Sequence, residues 1–470
     1  MYRSSYIVNP CRSDERCLQH TEGEEKMAQM TKFVRMRGMN LLHFVLMVAV
    51  MTIVWLTMYS PLNGCIDMLD RNKEALLALV RKYLWGHHEE LPDADWEAVE
   101  KCAQEQGVLW MAYLGGKCFP QQIPTQRLKS WRTVLHGGVL NNDLKNVVQT
   151  ELLEWLAEHN IRSAVLKGTS CSRYYPFPDA RPLGDIDILI DKCNMNAIDA
   201  YLREKGYSPL QRDHAFHVGY YGRDAVVEVH YAGTDVPASR GGKIVAEEMD
   251  RFLDSAQAAF AGELTFPALS DPHQALMLLL HMERHMIESG IGLRQLCDWA
   301  TFVKGSPSEH WQNCTLKLLE KCGLLTYAKA VTKVCVDYVG LDKDCAKWCD
   351  GISSKIAKAL IEDVFRGGNM GASDQEGAGS LFTERKALGQ KGQSLLKGYI
   401  ARMNKISFKH WPITEKYRIL LPFCWVYIPL RYMMRSKRGL RPKKEISYIV
   451  SAAEQRRRLY SALELYEVKK

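Results

Sequence analysis

Two short stretches of the sequence, residues 163–166 and 185–190, read as β-strands on either side of a segment rich in small residues and proline. The second strand opens with Asp185-Ile186-Asp187. Because side chains alternate between the faces of a strand, Asp185 and Asp187 are expected to point the same way. Two neighbouring carboxylates repel each other, so a positive charge is expected between them, and a divalent cation is the simplest choice. The pattern therefore predicts a metal site on a strand.

Hydrophobic periodicity and turn residues predict the order β-α-β-α-β-β for the middle of the chain. The turn Gly222-Arg223-Asp224 is typical of a β-hairpin between residues 215–221 and 225–231. A helix is expected from Asn194 to Lys205, where Gly206 ends it. The predicted fold class is α+β, with a small mixed sheet as its core and mostly helical regions before and after it.

A third carboxylate belongs to the second strand of this hairpin. Glu228 and His230 are two residues apart and are therefore expected on one face. If this strand lies beside residues 185–190, Glu228 joins Asp185 and Asp187 in a three-acid site. Hard divalent cations prefer such oxygen ligands.

Small residues follow the first strand at Gly168-Thr169-Ser170. A helix that begins there offers free backbone N–H groups, which suit a phosphate. A metal site next to a phosphate site indicates nucleotide chemistry.

These motifs resemble the nucleotidyltransferase superfamily that has a DNA polymerase β-type catalytic core, and most closely its branch of uncharacterised bacterial nucleotidyltransferases. The similarity covers roughly residues 70–440. The matching segments are Leu166-Lys167-Gly168, residues 181–189, residues 227–230, the His281–His285 segment with residues 293–298, and a basic-aromatic stretch from Trp411 to Arg431. The chain departs from the family in having Gly168-Thr169 where glycine is usually followed by glycine or serine.

The resemblance implies transfer of a nucleoside monophosphate from a nucleoside triphosphate (NTP) to an acceptor hydroxyl, with release of pyrophosphate and with two Mg²⁺ ions as cofactors. It implies that Asp185 and Asp187 bind both ions, and that Glu228 binds the catalytic ion and acts as the base or orients it. The residues it implies for the triphosphate are Gly168, Thr169 and Ser170, which would hold the β- and γ-phosphates, and Lys167 and Arg181, which would offset charge.

Other functions stay open at this stage. The same fold without catalysis would make a nucleotide-binding or interaction protein, although three intact acids argue against it. An RNA-directed enzyme of the toxin or antitoxin type is a further alternative. The acceptor is not indicated, and a sugar, a protein and RNA all remain possible.

Two histidines, His281 and His285, lie one helical turn apart. A packed pair at a domain boundary is preferred over a pair that lines the nucleotide cleft. His230 either contacts the metal site or simply ends its strand, and Asp191 is expected to cap the following helix.

The N-terminal 67 residues hold an apolar segment, residues 41–59, preceded by basic residues. Its length just spans a bilayer. A membrane anchor and an incorrectly assigned start, with Met68 opening the native protein, are equally supported, and a buried helix is the third alternative.

Fourteen cysteines without a Cys-x-x-Cys pair favour a reducing compartment. The predicted location is cytoplasmic, with membrane association left open.

Charge is distributed unevenly along the chain. Residues 381–470 carry 21 Lys and Arg against 6 Asp and Glu, so the first 380 residues sum to −7 in a chain of net charge +8. The basic tail, with its apolar run at residues 421–430, suits an anionic membrane surface, RNA or an acidic glycan, and equally a solvated helical face.

The predicted divisions are residues 1–67, 68–160 (helical), 161–265 (nucleotidyltransferase core), 266–366 (helical), 367–380 (loop) and 381–470 (basic tail).

Overall fold

A computed structural model shows the fold of one compact unit, formed by residues 65–431 and 448–470. The residues it describes are 69–210, 216–369, 400, 403–404, 406–408, 410–425, 427–428, 431 and 455–468. The apolar segment 41–59, most of the predicted loop 367–380 and the basic cluster 435–444 lie outside them. Among the described residues, no helix has both the length and the apolar character needed to cross a membrane.

A seven-stranded mixed sheet lies at the centre of the described chain. Its strands are β1 Ser163–Val165, β2 Ile186–Ile190, β3 Ser208–Pro209, β4 His217–Gly222, β5 Ala225–His230, β6 Gln257–Ala261 and β7 Leu264–Ala268. Their order across the sheet is β3-β4-β5-β2-β1-β7-β6. The pairs β2–β5 and β1–β7 are parallel, and the other neighbours are antiparallel.

Helices precede, interrupt and follow the sheet. They are α1 Arg71–Trp85, α2 Trp96–Glu105, α3 Leu109–Gly116, α4 Thr125–Glu158, α5 Thr169–Ser172, α6 Met195–Glu204, α7 Arg240–Met249, α8 Asp271–Glu288, α9 Leu293–Gly305, α10 Ser308–His310, α11 Leu316–Lys321, α12 Leu325–Val334, α13 Ser354–Gly367 and α14 Ile413–Lys416. The π-helical segments Trp311–Thr315 and Cys335–Val339 extend α10 and α12. The predicted α+β class with helical flanks is confirmed.

The predicted hairpin is present as β4 and β5. Its turn residues Arg223 and Asp224 both have positive φ, at 49° and 57°, which gives the tight turn that suits the twist of the strands. The hairpin of β6 and β7 is missing from the sequence prediction. Three of the five residues of β6 are alanine, a residue with weak strand preference, and Phe260 is 66% exposed.

The two faces of the sheet pack against different parts of the chain. Isoleucine and valine side chains of β2 and β5 form one hydrophobic core with α4 and α6. Leu189, on the opposite face of β2, belongs to the larger core that includes α8 and α9. Since side chains alternate along a strand, Asp187 shares the face of Leu189 and is directed away from α4 and α6.

A segment near the C-terminus packs against α8. The Tyr460 hydroxyl donates to the Met286 carbonyl at 2.8 Å, and the Tyr466 hydroxyl lies 3.0 Å from the buried Glu283 carboxylate. These two contacts attach residues near the C-terminus of the chain to α8.

Candidate active site

The three predicted acids come together on one face of the sheet. Asp187 of β2 pairs in register with Glu228 of the parallel strand β5. Asp185 precedes β2 by one residue and is exposed, whereas Asp187 is 4% exposed and Glu228 is half-buried. The carboxylates therefore form a graded site, with its outer edge at Asp185 and its inner edge at Asp187.

Lys167 and His230 contact the buried acid. The Lys167 Nζ lies 2.6 Å from the Asp187 Oδ1, and the His230 Nε2 lies 3.0 Å from the same oxygen. Burial alone would raise the pKa of Asp187, but attraction to Lys167 and hydrogen bonding with His230 bring it below its usual value. Asp187 is therefore ionised in the folded protein.

The pKa of Asp185 moves in the opposite direction. Although the residue is exposed, partial loss of hydration of its carboxyl group raises the pKa, and repulsion from the carboxylates of Asp187 and Glu228 raises it further. Burial also opposes ionisation of Glu228, but its hydrogen bond with His230 leaves the net pKa of Glu228 lowered. Three acids that repel one another at a partly open edge form a donor set that fits a divalent cation.

The glycine turn leads from β1 into α5 with Gly168 at a φ of 57°. The Thr169 hydroxyl donates to the Gln149 side chain at 2.9 Å, and the Ser170 hydroxyl donates to Gln274 at 3.2 Å. Both hydroxyl residues are at most 2% exposed. Their side chains fix α5 to α4 and α8, so a phosphate at this turn would meet backbone rather than hydroxyl groups.

The structure places Arg181 in a buried ion pair with Asp298 of α9. Its guanidinium donates to both carboxylate oxygens at 2.7 Å and to the Gly168 carbonyl at 3.2 Å. The Tyr175 hydroxyl also donates to Asp298, at 2.7 Å. Burial lowers the pKa of Arg181, but Asp298 outweighs this effect and raises it. Arg181 therefore joins the glycine turn to α9.

The histidine pair of α8 lies within electrostatic range of the acids. The rings of His281 and His285 meet edge to face, with centroids 4.5 Å apart. Burial lowers both pKa values, that of His285 to about 3, and Lys167 lowers them further, while Glu228 opposes the shift at His285. Both rings are therefore neutral at pH 7. The ring contact agrees with a packed pair, the interpretation that the sequence favours.

Arg294 of α9 is a residue for which the sequence pattern predicts no role. It is half-buried, and its Nε atom is buried without a hydrogen-bond partner in the part of the chain that the structure describes. Burial lowers its pKa, as does its neighbour Arg181. Arg294 lies one helical turn before Asp298 and therefore on the same face of α9. Once Asp298 is known to face the glycine turn, this spacing is the signal that could have identified Arg294.

Asp191, at the far end of β2, does not cap a helix with its side chain. Its carboxylate receives hydrogen bonds from Arg162 at 3.0 and 3.2 Å. The predicted cap is absent because the Asp191 carboxylate binds the exposed Arg162 guanidinium instead of a backbone N–H of the helix.

A protein-family model described as an uncharacterised nucleotidyltransferase matches residues 92–340, more than half of the 470 residues. The chain belongs to this family. The acids, the glycine turn, the histidine pair and Arg294 all lie inside the matched range of the nucleotidyltransferase. The general assignment as a transferase of nucleotidyl groups follows from that membership.

No curated protein is significantly similar to this nucleotidyltransferase. Among solved structures, an antigenic nucleotidyltransferase-like protein from Paracoccidioides brasiliensis is 16% identical, with a TM-score of 0.25. That match covers 40% of this chain and 92% of the fungal protein. We draw no conclusion from a similarity of this size.

Proposed function

We propose that this nucleotidyltransferase has a polymerase β-like core and moves a nucleoside monophosphate from an NTP to an acceptor hydroxyl, releasing pyrophosphate. The observation that carries the proposal is the convergence of Asp185, Asp187 and Glu228 on one face of two parallel strands. Three acids in this arrangement suit the charge of the divalent cations that a triphosphate needs for this reaction.

The residues that would hold two Mg²⁺ ions are Asp185 and Asp187 for both ions and Glu228 for one. Bound divalent cations would lower the pKa of the acceptor hydroxyl and offset the charge of the phosphates. The mutual repulsion of the acids supports this assignment, because an added cation relieves it.

Glu228 is the residue that we propose to accept the proton of the acceptor hydroxyl. Its lowered pKa keeps it ionised at neutral pH, and His230 holds its carboxylate from one side at 3.5 Å. Lys167 holds Asp187 at 2.6 Å and so fixes the inner edge of the site. Asp187 and Glu228 are thus each positioned by a contact, whereas Asp185 has an open side toward solvent.

Arg294 is the side chain that we propose to contact the phosphates. Arg181 is fully engaged by Asp298, and the hydroxyls of Thr169 and Ser170 are engaged within the fold. The Nε of Arg294 has no hydrogen-bond partner among the described residues, and the side chain lies within electrostatic range of Arg181 and Asp298. An arginine left in this state is suited to a bidentate contact with phosphate.

Replacing Arg294 by alanine is expected to raise the KM for NTP. A charge-assisted hydrogen bond contributes about 1.5–3 kcal/mol, which corresponds to about a 10- to 100-fold change in affinity. The thermal midpoint should change little, because Arg294 is half-buried and its repulsion from Arg181 is offset by its attraction to Asp298. Initial rates against NTP concentration, with differential scanning calorimetry, measure both effects.

The matched control for this change is Arg162→Ala, which removes an exposed arginine paired with Asp191 and Asp254. Its KM should equal that of the wild type. Equal KM values for Arg294→Ala and the wild type would contradict the phosphate contact.

The reaction type is tested with two radiolabelled substrates, an NTP labelled at the α-phosphate and one labelled at the γ-phosphate. Cell extract supplies the acceptors, and the assay is run with Mg²⁺ and with a chelator. We expect the α-label to enter a product only when metal is present. Transfer of the γ-label alone would instead indicate a kinase, and nucleotide binding without either transfer would favour the non-catalytic alternative.

A further inference from the structure

Glu228, the third acid of the site, has two histidine side chains as neighbours in addition to the carboxylates. His217 of β4 lies directly opposite His230 of β5 in the antiparallel register, and Glu228 is two residues before His230. Opposed residues and residues two apart share one face of a sheet. The three side chains are therefore brought to one side of the hairpin by strand pairing alone.

The donor atoms of these side chains face one another. The Nε2 of His217 lies 3.5 Å from one oxygen of Glu228, and the Nε2 of His230 lies 3.5 Å from the other. All three donors lie within 4.8 Å of one another. Asp187 adds a second carboxylate, with its Oδ1 3.0 Å from His230. Lys167 contacts Asp187 at 2.6 Å and also lies within electrostatic range of Glu228 and His230.

The surroundings of these donors are largely dry. His217 and His230 are 5% and 2% exposed. The ring of Phe216 packs against both, with centroid distances of 4.6 and 6.0 Å, and its own outer face is covered by the Arg284 guanidinium at 4.5 Å. The Phe216 ring provides apolar cover on this side, and such cover shields a cation from competing water.

The chemistry of the donor set differs from that of a magnesium site. Mg²⁺ prefers oxygen ligands in a nearly octahedral arrangement and usually keeps several waters. Imidazole nitrogen suits Zn²⁺, Fe²⁺, Cu²⁺ and Ni²⁺, and a site of two histidines with one carboxylate is typical of zinc and non-haem iron.

We propose that His217, Glu228 and His230 form a binding site for one divalent transition-metal ion, with Asp187 as a fourth possible ligand. The site shares Glu228 and Asp187 with the proposed reaction but does not rest on the proposed function. Binding itself needs no nucleotide and no turnover.

The test uses purified full-length protein and Mn²⁺ without nucleotide. Isothermal titration measures the affinity, and pulsed electron paramagnetic resonance detects ¹⁴N coupling from any histidine bound to Mn²⁺. We expect ¹⁴N coupling in the wild type. His217→Gln, which keeps a polar group beside Glu228, should weaken Mn²⁺ binding by more than about tenfold and reduce the coupling.

The matched control is His285→Gln, because His285 lies near the acids but outside the donor set. Its Mn²⁺ affinity and ¹⁴N coupling should equal those of the wild type. Absence of ¹⁴N coupling in the wild type, or equal affinity in His217→Gln, overturns the proposal. If His217→Gln does not fold, competition in the wild type decides: Zn²⁺ should displace the coupled Mn²⁺ at concentrations where Mg²⁺ does not, and equal displacement overturns the site.

These outcomes are separate from those of the proposed function. Nitrogen-coupled Mn²⁺ in a protein that transfers no nucleotide supports the metal site and contradicts the reaction. Mg²⁺-dependent transfer by a protein without ¹⁴N coupling supports the reaction and contradicts the metal site.

Discussion

Replacing Asp185 by asparagine is expected to reduce nucleotidyl transfer by about 10³-fold or more, on the scale of losing a strong electrostatic contact to the transition state. The same change should leave the thermal midpoint unchanged or raise it. Asp185 has no described hydrogen bond or ion pair, and the neighbouring carboxylates of Asp187 and Glu228 repel its charge. A loss of activity without a loss of stability is the signature of an acid kept for chemistry.

The measurement combines the α-label transfer assay with calorimetry of the same preparations. Asp191→Asn is the matched control, because Asp191 ends the same strand and pairs only with exposed Arg162 among the described contacts of its carboxylate. It should keep full transfer and lose at most about 1 kcal/mol of stability. Full transfer by Asp185→Asn would remove this acid from the proposed site.

The second large effect concerns stability. Arg181→Gln is expected to lower the free energy of unfolding by about 3–5 kcal/mol, since it leaves the buried Asp298 carboxylate without its charge partner. Arg181 and Asp298 are 5% and 7% exposed, and two hydrogen bonds of 2.7 Å join them. Urea unfolding followed by circular dichroism measures the difference.

The matched control is Arg223→Gln, which breaks an ion pair with Glu151 whose side chains are about 40% exposed. It should cost at most about 1 kcal/mol. The double variant Arg181→Met with Asp298→Leu should recover much of the loss, because both members of the buried ion pair are then replaced by apolar side chains. A cost for Arg181→Gln no larger than that for Arg223→Gln would show that the buried pair does not stabilise the fold.

The acids of the site were accessible to sequence reasoning because their placement depends on short-range rules. Alternation along a strand directs Asp185 and Asp187 to one side, and the same rule sets Glu228 beside His230. The hairpin turn at Arg223-Asp224 is equally local, since it depends on two residues that tolerate positive φ.

The partners of the site residues were not accessible in this way. Arg181 meets Asp298 across 117 residues of sequence, and Ser170 meets Gln274 across 104. Such contacts depend on how α8 and α9 pack against the sheet, which no local pattern specifies. For the same reason the spacing of Arg294 carries no sign that it lies next to Arg181.

The parallel pairing of Asp187 with Glu228 limits which insertions and deletions the family can accept. Removal of one residue within β5 would turn Glu228 toward α4 and α6, because each step along a strand reverses its side chains. Removal of two residues would keep Glu228 on the same face as Asp187. It would also shift Glu228 by two residues along the strand, so the two carboxylates would no longer lie side by side. Length variation among relatives is therefore expected to concentrate in the segments between strands, such as residues 173–184, and to be rare within β2 and β5.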